Sequence, residues 1–199
     1  LLSLGATARR RVAVEKGIHA LEYLQFSDHP EVKRAATEAL CNMVPDRSMI
    51  KHLSRSDKMK LWLALCHDGV ENDARLASAA VGCLAMACSD VDVARAVASN
   101  NGASALIAVL GSSDPSLVHR AAYCLTACLD DSKARALLVC SEVKDAVEKA
   151  ALKFTEGPAA GALKDASAAL ARDWPEEEED PVEDDDADMA ELNEFLDEE

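Results

Sequence analysis

Apolar residues recur along this chain at intervals of three and four, and no segment alternates with the period of two that marks a half-buried strand. Ile18, Leu21 and Leu24 predict a helix over 17–26, broken by Ser27-Asp28-His29-Pro30. Pro30 opens the next helix, because the N–H that proline lacks has no partner in a first turn anyway. Val32, Ala36, Leu40 and Val44 then fall at i, i+4, i+8 and i+12, which predicts one buried stripe, and Pro45 ends the helix. The same reading predicts a short helix near 46–53, helices near 57–67 and 73–88, and a pair at 102–110 and 114–129. Helices near 132–140 and 142–154 continue the pattern, and 159–174 reads as a final, capping helix. Alanine is dense in the longest helices, where small side chains permit close approach between layers.

The helical pattern is also periodic. Gly17 and Gly102, Pro30 and Pro115, and Leu40 and Leu125 are each 85 residues apart, within the matching segments Glu15–Val44 and Asn100–Leu129. Midway, Ala80 and Leu84 stand 44 residues after Ala36 and Leu40. A period in the low forties made only of helices predicts an all-α solenoid of about three to four repeats. Stacked helical repeats build extended surfaces, so the expected function is binding.

Charge divides the chain in two. Of its 36 Asp and Glu, residues 176–199 hold 15 with no Lys or Arg, so the rest is balanced at 21 acids against 21 bases. Low hydrophobicity and dense like charge predict disorder for this acidic tail. Two segments follow: 1–174, the repeat segment, and 175–199, the tail. Within the tail, Met189, Leu192, Phe195 and Leu196 share one face of a possible short helix at 189–196. It is either a groove-docking motif or a solvated end with incidental apolar residues. Beyond Arg9-Arg10-Arg11 there is no dense basic cluster, so nucleic acid is not an expected partner. No apolar run approaches about twenty residues, so no membrane span is expected. Cys83, Cys88, Cys124 and Cys128 lie among alanines in predicted helices, no CxxC occurs, and the scattered histidines show no ligand spacing. Reduced, buried thiols in a cytoplasmic protein, with no metal or cofactor, are the expectation. No Gly-rich phosphate loop, GxSxG or HExxH is present, and an enzyme is not expected. The chain starts at Leu1, which suggests a piece of something longer.

Glu15–Val44, with its glycine, Asp-His-Pro corner and Ala-Leu-Cys-Asn-Met ending, resembles an armadillo repeat. KRAATEALCNMV at 33–44 is similar to the signature run of the UCS-domain myosin chaperones. KMKLWLALCHDGVENDARLASAAVGCLAMAC at 58–88, PSLVHRAAYCLTACLDD at 115–131 and SEVKDAVEKA at 141–150 continue the resemblance in order, from about Gly17 to Trp174. The resemblance implies a right-handed armadillo solenoid from the C-terminal part of such a chaperone. It further implies a cytosolic co-chaperone that binds a non-native or partly folded myosin motor domain. Animal members dock the ninety-kilodalton heat-shock chaperone through an N-terminal domain that has no counterpart in these residues. A general armadillo adaptor for other proteins is the rival reading.

In armadillo folds the third helices line a groove where an asparagine can grip an extended peptide, since an amide donates and accepts. Asn42 holds that position, with Glu38 and Arg34 one and two turns earlier on the same face. Its counterparts are Met86 and Ala127, so there is no asparagine ladder, and Met86 with Tyr123 suits an apolar client instead. Arg34 and Glu38 are either groove residues or a solvated i, i+4 pair. His119-Arg120, after the Pro115 corner, either meets an acidic partner, caps within the chain or is simply exposed.

Overall fold

A computed structural model describes residues 5–173. The acidic tail, with Met189, Leu192, Phe195 and Leu196, lies outside the described residues, as does Trp174. The described residues form twelve helices and no strand. They group into four triplets: α1 (Ala6–Val14), α2 (Gly17–Leu24) and α3 (Pro30–Cys41); α4 (Arg47–Leu53), α5 (Ser56–Asn72) and α6 (Ala74–Ala87); α7 (Val91–Ser99), α8 (Gly102–Leu110) and α9 (Pro115–Cys128); α10 (Ser132–Leu138), α11 (Ser141–Lys153) and α12 (Gly157–Ala171). Third helices pack on third helices in the order α3, α6, α9, α12, and α5, α8 and α11 stack as a second row. The all-α, three-helix-repeat solenoid is therefore the architecture, with four repeats.

Aspartates start five of the helices. Asp46, Asp73, Asp90, Asp114 and Asp131 accept from the backbone N–H of Ser48, Leu76, Asp92, Ser116 and Ala134 at 2.8–3.1 Å. Each satisfies a donor that the first turn leaves orphaned. The third helices are packed through small residues. Ten of the fourteen residues of α6 are buried, among them Ala77, Ala80, Gly82 and Cys83, because α3 and α9 cover it from both sides. Trp62 on α5, fully buried, is the largest core side chain.

The repeated glycines have a steric cause. Lys16 and Asn101 take left-handed backbone, at φ 60° and 66°, and turn the chain back onto the helix just completed. A Cβ at Gly102 would sit 2.5 Å from the Val97 carbonyl oxygen, and one at Gly17 2.9 Å from that of Val12. Backbone cannot yield there, so the corner admits only glycine.

Three expectations need correction. Val32 is 37% exposed, so the buried stripe of α3 is Ala36 and Leu40, with Val44 in the turn beyond the helix. Helices α1 and α7 lie where none is predicted. The last helix stops at Ala171, before the tryptophan. Among the described residues no single helix is long and apolar enough to cross a membrane.

Gly102→Ala is expected to cost about 1–3 kcal/mol through forced overpacking. Gly161→Ala, inside α12 with nothing within 4 Å of a Cβ, should gain about 0.5–1 kcal/mol. Urea unfolding of the two variants measures both, and similar shifts would refute the steric account.

Candidate functional site

The row of third helices carries two depressions. The larger, about 420 Å³, lies between α3 and α6 and is lined by Glu38, Cys41, Asn42, Arg75, Ser78 and Arg120, among others. The second, about 300 Å³, lies beside α9 and includes Tyr123, Thr126, Ala127, Cys88 and Asp131. Glu38, Asn42 and Arg120 thus come together, while Tyr123 belongs to the neighbouring hollow. Met86 lines neither; it is half exposed on α6, as Tyr123 is on α9.

Several of these side chains are engaged within the protein. Arg34 Nε reaches the Asp73 carboxylate at 3.3 Å, both groups being largely buried. Asp73 is also the cap of α6, so this bridge ties repeat one to the start of the third helix of repeat two. It replaces the solvated pair with Glu38 that the spacing allows. Arg120 Nη1 donates to the Ser78 carbonyl oxygen at 2.6 Å, reaching α6 from α9. Gly82 makes room for it, since the guanidinium occupies the space where a Cβ would stand. Asn42 Nδ2 donates to Glu38 O at 2.9 Å, so the proposed peptide-gripping amide is turned back onto its own helix as a C-terminal cap. His119 is half-buried and Glu38 exposed.

One more cross-repeat contact, and one within repeat four, extend the same design. Arg95 on α7 holds Asp131, the cap of α10, with Nε at 3.1 Å from both oxygens and Nη2 at 2.8 Å from one. Burial would raise the Asp131 pKa, but Arg95 and the Ala134 N–H together hold it below the usual carboxylate value. Arg135, itself buried, donates to the carbonyls of Ala169, Leu170 and Arg172 and closes the C-terminal end of α12.

Residues missed by the spacing argument also line the groove. Arg75 brings a second cation beside Arg120. Cys41 is half-buried there, and a hydrogen bond from Cys83 holds its thiol below the ordinary value; burial opposes this and Arg120 reinforces it. All seven cysteines are free thiols, and burial pushes Cys66 and Cys83 well up, as inert core residues. The fold also brings His19, Glu22 and His52 together, which no spacing in the sequence foretells.

Known proteins resemble the chain in part. No protein-family model matches it. It is 35% identical over 80 residues to Protein unc-45 homolog B of Mus musculus, covering 39% of this chain and 8% of that protein. Against Protein unc-45 homolog B of Danio rerio it is 34% identical over 88 residues, 43% of this chain and 9% of that protein. The structure of UNC-45 from Drosophila melanogaster matches 85% of this chain with a TM-score of 0.74 at 23% identity, over 22% of its own length. The chain therefore spans less than a tenth of the curated relatives it matches, and it shares the solenoid fold with UNC-45.

The clamps and the surface residues should separate on substitution. Arg120→Met is expected to cost about 1.5–3 kcal/mol, the scale of a hydrogen bond from a charged group. Glu38→Ala and Tyr123→Ala should stay within about 0.5 kcal/mol, as exposed positions do. Equal losses in denaturant unfolding would contradict this division.

Proposed function

We propose that this chain is the client-binding solenoid segment of a myosin-directed chaperone, acting in the cytoplasm without ATP hydrolysis. The carrying observation is the exposed apolar pair Met86 and Tyr123 on successive third helices, in a row whose one asparagine is committed to its own helix. Such a surface suits a partly unfolded motor domain rather than a long extended peptide, because methionine adapts to irregular apolar partners. The partial likeness to unc-45 homolog B proteins and the motif runs at 33–44, 58–88 and 115–131 support the myosin assignment. Holding a non-native client suppresses its aggregation by mass action alone. Contact with the ninety-kilodalton heat-shock chaperone would belong to a domain outside these residues.

A general adaptor is the second reading, favoured by the mixed-charge hollow in which Arg75 and Arg120 face Glu38. Cross-linking in a lysate separates the two: myosin heavy chain as a leading partner supports the chaperone, its absence the adaptor.

Light scattering from a heated myosin motor fragment tests the main reading. A longer protein containing the complete solenoid should suppress the rise, and Met86→Ser with Tyr123→Ser should weaken suppression with unfolding unchanged. No suppression by that longer protein would sink the proposal.

A further inference from the structure

Glu22 is nearly buried on α2, where an uncompensated carboxylate is costly. Basic groups from three helices converge on it. Lys58 Nζ of α5 lies 2.5 Å from Oε1, His52 Nε2 of α4 3.9 Å from the same oxygen, and His19 Nδ1 of α2 3.8 Å from Oε2. The two imidazoles meet edge to face with centroids 6.2 Å apart. One donor atom from each of His19, Glu22 and His52 lies within 4.8 Å of the others.

The ion pair with Lys58 accounts for Glu22 but not for His52. That side chain is only 6% exposed, and its Nε2 has no hydrogen-bond partner. At 3.9 Å the carboxylate is too far to bond it, and orphaned buried nitrogens are uncommon. An imidazole nitrogen left without a partner can offer its lone pair to a metal.

We propose that His19, Glu22 and His52 form a zinc site joining repeat one to repeat two, with Lys58 as the resident cation when metal is absent. Two imidazoles and a carboxylate are a zinc ligand set, with a fourth position left for water. Bonds of about 2.0–2.2 Å require the donors to draw closer than they stand. His19 can make most of that movement, because its side chain is 66% exposed. Lys58 has somewhere to go: Asp57 Oδ2, on an exposed side chain, is already 3.5 Å from its Nζ. Zinc and the ammonium thus compete for one carboxylate, and the displaced ammonium passes to the next.

The full chain is titrated with Zn2+ against a chromophoric chelator, and with Co2+ for its visible spectrum. One metal per chain is expected, with tetrahedral cobalt bands and no thiolate charge-transfer band. Glu22→Gln and His19→Ala should each weaken binding at least about tenfold, the smallest effect typical even of an outer partner. Lys58→Gln, which removes the competing ammonium, should tighten it. His19 is exposed, so His19→Ala decides the matter even if a buried His52→Ala variant misfolds. Absence of stoichiometric binding overturns the proposal, as does affinity unchanged by His19→Ala and Glu22→Gln. Thiolate charge transfer would overturn it too, placing the metal at the buried cluster of Cys88, Cys124 and Cys128. Weaker binding in Lys58→Gln would overturn the exchange with Lys58.

Discussion

The close approach of the third helices is the constraint on which the rest depends. Each packs on the third helix of a neighbouring repeat, and alanine, glycine and cysteine at the contacts let the backbones come near enough. Ala121, Ala122 and Cys124 on α9, and Ala159, Ala166 and Ala169 on α12, are all almost completely buried. Such residues contribute little area each, so cohesion comes from many close contacts rather than a few large anchors. Close approach also brings backbone within reach of long side chains from the next repeat. Arg120 finds the Ser78 carbonyl for this reason, and only because Gly82 leaves the space open.

A second consequence is that arginines serve as ties between repeats. Arg34 meets the cap of α6 and Arg95 the cap of α10, while Arg135 on α10 holds the open end of α12 within repeat four. In the first two cases one aspartate accepts both from the first turn of its helix and from the preceding repeat. The carboxylate is thereby fixed by its own helix before the arginine arrives, so less entropy is lost in forming the pair. These ties take Arg34 and part of Arg120 out of the set facing a partner. Met86, Tyr123, Glu38 and Arg75 remain exposed along the row.

Local signals in the sequence carry the fold further than the site. Pro30, Pro115, Gly17 and Gly102 mark helix starts because each answers a requirement within a few residues of itself. Helix α7 escapes the pattern even though Asp90 caps it, since Val91, Val93 and Val97 are β-branched and read weakly as helix. Helix α1 buries no residue, so it lacks the apolar stripe on which such reading relies. The groove is legible as a row of third helices, but which side chains are free for a partner is not. The partners of Arg34 and Arg120 lie 39 and 42 residues away, set by the stacking of repeats rather than by helical spacing. Asn42 is engaged for the opposite reason: its Nδ2 donates to its own helix, at the position where a short amide caps best.

The His19–Glu22–His52 corner shows how far a bound cation could matter to such a stack. Lys58 already neutralises Glu22 and ties α2 to α5, so the fold stands without metal. Zinc would add a bond from α2 to α4, and its effect on stability would follow mass action alone, about 2.7 kcal/mol at a hundredfold excess over the dissociation constant. Because α3 packs on α2 and α6 on α5, the corner and the hollow between α3 and α6 share the same supporting helices. Shared support is not coupling: that requires two arrangements of those helices with different affinities at each site. Lys58 and zinc hold Glu22 in the same place, so the physical expectation is a stiffer junction between repeats with the groove unchanged.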